Sequence, residues 1–236
     1  MNTISCTIEK VAPFNDAVFQ VTLKPTTAFD FKAGQYLCVV MGEKDKRPFS
    51  IASAPNSQEI ELHIGAAVSE SYPMQVVERL KDCLANNSTI DIEVPGGDAH
   101  LRHDSVRPRL LIAGGTGFSY IKSIVEQQIA LGQTIETTLY WGCRTTDAMY
   151  YEAIAREWHD AHPWLHFVAV VEEAPTNWNG KQANLLEQIK ADFVSLNGYD
   201  IYIAGRFDMV GAAREVFRSI GVEEDHLYGD AFAFIK

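Results

Sequence analysis

Three short stretches of this chain have residue types and spacing suited to chemistry. In the first, the apolar run Leu110-Leu111-Ile112-Ala113 passes directly into Gly114-Gly115-Thr116-Gly117 and then into an apolar helical segment. A strand that ends in glycines and opens a helix lets backbone N–H groups and a helix N-terminus approach a pyrophosphate, because no Cβ blocks the approach. The pattern departs from G-x-G-x-x-G, since position 120 is Tyr. A merely tight strand-to-helix turn is the plainer alternative. In the second stretch, Ile201-Tyr202-Ile203-Ala204-Gly205-Arg206-Phe207-Asp208, another strand ends in a Gly turn. Ligands of open α/β sheets bind beyond the carboxyl ends of the strands, so the two turns are candidates to line one crevice. A loop glycine beside a solvated Arg206 is the competing account.

The third stretch is Arg47-Pro48-Phe49-Ser50-Ile51-Ala52-Ser53. It offers a guanidinium for a phosphate or ribityl chain, a stiff backbone, an aromatic surface and a hydroxyl. It also reads simply as an edge strand with an early Pro. The histidines at 159, 162 and 166 have a spacing that suggests metal ligands, but Pro163 and Trp164 end any helix that would align them. Cations at a helix C-terminus explain them better. His100 and His103 read as loop residues, and no metal site is assigned.

Two kinds of element must position these stretches. Up to about Asp104 the chain reads as short β-segments, Ser5 to Lys10, Ala17 to Leu23, Gln35 to Met41, Ile60 to Ile64 and Thr89 to Val94, separated by turn formers. Met74, Val77 and Leu80 mark one helix among them. This rhythm predicts a small antiparallel β-barrel. After Arg107-Pro108 continuous apolar strands (Arg109 to Ala113, Thr137 to Trp141, His166 to Val171, Asp200 to Ala204) alternate with helices around Tyr120 to Ala130, Ala148 to His159, Gln182 to Asp192 and Met209 to Ser219. That alternation predicts an α/β doubly wound parallel sheet. The predicted domains are residues 1–104 and 105–236.

Composition limits the partners. The 236 residues carry 20 Lys and Arg against 31 Asp and Glu, a net charge of −11, which repels nucleic acid and anionic membranes at long range. Local Arg and N–H clusters still suffice for a nucleotide. The four cysteines form no CxxC pair, the N-terminus lacks a basic end followed by an apolar run, and no apolar stretch approaches the ~20 residues of a membrane span. The expected location is the cytoplasm.

Taken in order, RPFSIAS, IAGGTGFSY, YWGCR and IYIAGRFDM, with FKAGQYL before them and GDAFAF at the close, resemble the ferredoxin-NADP reductase superfamily, and within it the single-chain NAD(P)H-flavin oxidoreductases that include the luciferase-associated enzymes. The resemblance covers essentially the whole chain. It implies a flavin-binding barrel followed by a nicotinamide-nucleotide domain. Arg47, Pro48, Phe49 and Ser50 would follow the isoalloxazine and ribityl chain, with the Ser50 hydroxyl at flavin N5 as the catalytic group, and His63, Ile64 and Gly65 near the flavin tail. Gly114, Gly115, Thr116, Gly117 and Ser119 would bind NADH or NADPH, Gly205 would border the nicotinamide, and Arg206 and Phe207 the dinucleotide. Ala204 stands where the wider superfamily has Cys. Arg144 is a candidate for a 2′-phosphate or for stacking on adenine.

The implied activity is hydride transfer from NAD(P)H to FMN, riboflavin or FAD held as an exchangeable substrate. Reduced flavin is then released to ferric iron, a luciferase or a monooxygenase, and the enzyme is a monomer. The nearest alternative is a reductase with tightly bound FAD that serves an iron–sulfur protein or oxygenase. A nucleotide-sensing module without turnover is a more distant one.

Overall fold

The structure, a computed structural model, describes residues 1–235. The chain divides into two compact units. One contains Met1–Leu101 with Lys122–Leu131, and the other contains Arg102–Ile121 and the chain from Gly132 onward.

The first unit is built on six antiparallel strands: β1 (Asn2–Pro13), β2 (Val18–Pro25), β3 (Tyr36–Gly42), β4 (Asp45–Ser50), β5 (Ile60–Gly65) and β6 (Ile90–Gly96). Their order is β4-β3-β6-β1-β2-β5. Past Ser50 the backbone leaves β3, and the Ala52 N–H donates to the Glu61 carbonyl of β5 at 2.7 Å. The two edges of the sheet therefore meet, which makes it barrel-like and removes its unpaired edges there. Alternate residues point inward, and Leu23, Leu37, Val39, Leu62, Ile64 and Ile92 are fully buried in one cluster. Helix α1 (Tyr72–Ala85) adds Val76, Val77 and Leu80 to that core, and the Ser71 side chain caps it by accepting from the Met74 N–H.

The second unit has six parallel strands: β7 (Arg109–Gly114), β8 (Thr137–Thr145), β9 (Leu165–Glu173), β10 (Lys181–Gln182), β11 (Asp200–Ala204) and β12 (Leu227–Tyr228), in the order β10-β9-β8-β7-β11-β12. The helices are α2 (Phe118–Ala130), which starts here and from Lys122 on belongs to the first unit, α3 (Glu152–Ala161), α4 (Leu185–Asp192) and α5 (Phe207–Arg218). The chain winds outward from β7 through β8 to β10 and then returns to β7's other side as β11, so the topological switch lies between β7 and β11. Leu110, Ile112, Ile201 and Ile203 of these two strands pack with Val210 and Phe217 of α5 in one core.

The predicted fold class holds, with differences at element ends. Helix α4 starts at Leu185 rather than Gln182, because the Asn184 side chain accepts from the Leu186 and Glu187 N–H groups and Lys181–Gln182 pairs with β9. Helix α3 starts at Glu152, since residues 146–148 form a separate 3₁₀ turn. Among the described residues no helix is long and apolar enough to cross a membrane.

Candidate active site

In the first unit RPFS forms the end of β4, an edge strand paired to β3 with Cys38 opposite Pro48 and Tyr36 opposite Ser50. An edge tolerates the missing Pro N–H. The Arg47 guanidinium donates from Nε and Nη2 to the two Asp45 carboxylate oxygens at 2.7 and 2.6 Å. It also donates to the Tyr72 carbonyl at 2.8 Å and to Gln75 Oε1 at 3.1 Å. The hydrogen bond from Arg47 holds the Asp45 carboxyl below its ordinary range. Arg47 is thus locked by its own strand and by the start of α1, with its guanidinium 5.0 Å from the Tyr72 ring centre. The Phe49 ring lies parallel to Tyr72 at 6.2 Å. The Ser50 hydroxyl makes no hydrogen bond within the described residues, which leaves its donor available to a ligand.

His63, Ile64 and Gly65 lie on β5, with His63 and Ile64 both buried but on opposite faces of the strand. Ile64 is fully buried in the barrel core. The buried His63 ring donates from Nε2 to Glu61 Oε1 at 2.7 Å and meets the Phe14 ring edge-on. Burial lowers the His63 pKa, against the pull of Glu61, so the ring is neutral. Burial by itself raises the Glu61 carboxyl, but the His63 hydrogen bond and the Lys122 ammonium together bring it down to about 2.

In the second unit the two glycine turns adjoin at the carboxyl ends of β7 and β11, where Ala113 pairs with Ala204. Close packing demands glycine at position 117, because a Cβ there would lie 2.2 Å from the Ala204 carbonyl oxygen. At Gly115 the demand is conformational: φ is +53°, and a Cβ would meet no atom within 4 Å. The space a side chain would fill there is open. The orientation of the peptide is set by β8, since Trp141 Nε1 donates to the Gly115 carbonyl at 2.9 Å and the Cys143 sulfur accepts from the Gly115 N–H. Burial pushes the Cys143 thiol up to about 12, so it remains protonated. The Trp141 ring stacks on Phe118 at 4.0 Å. Buried Ser119 donates to the Thr116 carbonyl at 3.0 Å and so braces the loop.

A Cβ on Gly114 or Gly205 would each come within 2.6 Å of the Met209 side chain, so both turns pack against the same methionine. Arg206 sits at the N-cap of α5, highly exposed and 3.3 Å from Asp208. Phe207 is exposed, with its ring 6.2 Å from Phe234. Arg144, beyond Cys143 on β8, is exposed and paired with Glu173 at 2.9 Å. The second unit therefore gathers Gly114, Gly115, Thr116, Gly117, Ser119, Gly205, Arg206 and Phe207 at the switch point, with Arg144 farther along the neighbouring strand. His159 instead donates to the Leu165 carbonyl, and His166 pairs with Glu136.

Residue types and periodicity did not reveal Tyr72, Trp141, Cys143 or Lys122. Only YWGCR as a motif pointed to Trp141 and Cys143, and Tyr72 gave no sign beyond its place after the Ser71 cap.

A barrel-like antiparallel unit joined to a doubly wound unit with glycine turns at its switch point defines a flavin- and nicotinamide-dependent oxidoreductase. Residues 3–118 match the family model of an FAD-binding domain and residues 111–215 that of an oxidoreductase NAD-binding domain. Among solved structures, the fold resembles the ferredoxin reductase of carbazole 1,9a-dioxygenase, with a TM-score of 0.82 and 22% identity over 98% of this chain and 69% of that one. The chain is 48% identical over 236 residues to the NAD(P)H-flavin reductase of Vibrio harveyi, covering 99% of this chain and 100% of that protein. It is 49% identical over 235 residues to the NAD(P)H-flavin reductase of Aliivibrio fischeri, covering 98% and 99%. The chain belongs to the NAD(P)H-flavin reductase family.

Proposed function

We propose that this protein transfers a hydride from NADH or NADPH to riboflavin, FMN or FAD taken as an exchangeable substrate, and releases oxidised nicotinamide nucleotide and reduced flavin. The end-to-end identity of 48% to a flavin reductase is the observation that carries the reading. The two ring systems supply the redox chemistry themselves, the nicotinamide giving the hydride from C4 and the flavin accepting it at N5. The chain's task is to bind, orient and hydrogen-bond.

Both sets of residues suit that task. Open space beside Gly115 accommodates a pyrophosphate against the start of α2, and the unused Ser50 hydroxyl serves as donor to N5 as charge arrives there. Phe49 and Pro48 offer an apolar surface for the isoalloxazine. Arg47, already fixed by Asp45, presents its positive charge to the ribityl side. With their side chains buried, His63 and Ile64 serve the flavin tail through their backbone, beside Gly65. Gly205 borders the nicotinamide, Arg206 and Phe207 contact the dinucleotide, and Arg144 meets the adenosine end. No strong acid or base is needed, and none of these groups is one.

In this reading residues 1–104 are the flavin domain and 105–236 the nucleotide domain. The enzyme works as a monomer in the cytoplasm, where its four free cysteines remain reduced, and supplies reduced flavin to a luciferase, a monooxygenase or ferric iron. Desalting tests the exchangeable flavin. The expected protein emerges colourless and regains flavin reversibly on titration, whereas a yellow colour that survives repeated desalting contradicts exchange.

A further inference from the structure

We infer that Lys122 is a positioning residue for flavin reduction: with Ser123 and Glu126 on the same helix, it fixes the backbone of residues 52–54 and thereby the placement of the Ser50 hydroxyl. The inference rests on the reading of Ser50 given above.

Lys122 is one of the few fully buried cations, with its side chain 3% exposed. Its ammonium lies 3.0 Å from Glu61 Oε2 and 2.8 Å from Glu126 Oε1, and donates to the Ala52 carbonyl at 3.4 Å. One position on, the Ser123 hydroxyl donates to the Ser53 carbonyl at 2.8 Å. The Glu126 carboxylate accepts from the Ala54 N–H. From the strand side, the Ser53 hydroxyl accepts from the Glu61 N–H at 3.0 Å, and the Ala52 N–H donates to the Glu61 carbonyl. Two consecutive peptide groups, 52–53 and 53–54, are therefore held by side chains at positions i, i+1 and i+4 of α2, while Glu61 joins the same cluster from β5.

Stability alone does not explain this cluster. A buried ammonium between two carboxylates loses hydration that its ion pairs only partly return, and an apolar contact of the same volume would serve packing as well or better. Hydrogen bonds and ion pairs do what apolar packing does not: they fix a segment in one register and one orientation. The segment they fix begins two residues after Ser50, at the point where β4 has left its partner β3. Without the clamp the segment keeps its bonds to the strands, Ile51 to Gln35 and Ala52 and the Ser53 hydroxyl to Glu61, but nothing from α2. A donor meant to meet a reacting nitrogen tolerates little displacement.

The test uses Lys122→Met, which keeps the stem and deletes the charge, beside Ser123→Ala and Ser50→Ala, in steady-state kinetics with flavin and nucleotide varied separately. Lys122→Met is expected to lower kcat about tenfold or more and to raise the flavin KM, with the nucleotide KM held within about twofold. Ser123→Ala, which leaves the ion cluster intact, is expected to shift the same flavin parameters about threefold. Folded Lys122→Met with wild-type kcat and flavin KM and only a lower melting temperature would overturn the inference and leave a structural ion cluster. Should Lys122→Met fail to fold, Ser123→Ala decides, and unchanged flavin kinetics there overturn it. If Ser50→Ala alone leaves turnover unchanged while Lys122→Met lowers it, the role of Ser50 fails and the positioning of residues 52–54 stands.

Discussion

Residues 50–54 in the first unit and 114–117 in the second are both turns at strand ends, yet they are held by opposite means. The first is clamped by a buried ammonium, two carboxylates and one serine drawn from α2 and β5. The second is held by fit: Gly117 lies flat against the Ala204 carbonyl, Met209 fills the space beside Gly114 and Gly205, and one indole N–H and one sulfur fix the Gly115 peptide. In the proposed function, ligand chemistry accounts for the contrast. A pyrophosphate is bound by the backbone itself, so side chains must be removed and buried charge kept away. A neutral isoalloxazine is met by side chains, so the strand end that carries them must be anchored from behind.

If the second turn is held by fit, the largest effect comes from Gly117→Ala. A Cβ 2.2 Å from a carbonyl oxygen must displace the loop or β11, and kcat/KM for NADH is expected to fall about 100-fold or more. Wild-type nucleotide kinetics in that variant would show that the loop tolerates displacement. Trp141→Phe ranks next. It retains an aromatic ring on Phe118 but strips the donor from the Gly115 carbonyl, so the nucleotide KM should rise about tenfold while the flavin KM holds. Equal changes in both would erase the distinction between the two turns.

The smallest effect concerns the charged clamp in acid. Glu61 titrates at about 2 in the folded chain against its usual 4.5, because the His63 hydrogen bond and Lys122 outweigh its burial. A lowered carboxyl stabilises the fold above its unfolded value, and that stabilisation is lost as pH falls from about 4.5 towards 2. Urea unfolding of wild type and Glu61→Gln should therefore differ most near neutral pH and converge through that window. A difference independent of pH would mean that Glu61 acts by shape alone.

The contrast also explains what the sequence disclosed. Glycine turns are local, so GGTG and AGRFD were readable in place, and continuous apolar runs marked β7, β8, β9 and β11. The two-residue strands β10 and β12 were not legible, because they exist only through pairing with β9 and β11. Lys122 lies among Ile121, Ile124 and Val125, where a lone lysine reads as a solvated stem; its carboxylate partner Glu61 is 61 residues away, and only the fold brings the two together. Arg47 and Ser50 stood out as polar groups in an apolar strand edge, but as bare residues they described an edge strand equally well, and their flavin roles came only from the resemblance. The burial of His63 could not be read, because alternation puts it on the face opposite Leu62 and Ile64 and does not say that this face is covered too.

The most direct test of the central claim is anaerobic NAD(P)H oxidation by thoroughly desalted protein, with and without riboflavin in large excess over enzyme. Oxidation that begins only on adding riboflavin, and reduces one flavin for each nucleotide through many turnovers, is the predicted result. A slow oxidation by protein that stays yellow, unchanged by riboflavin, would contradict it and point to bound FAD serving a protein acceptor.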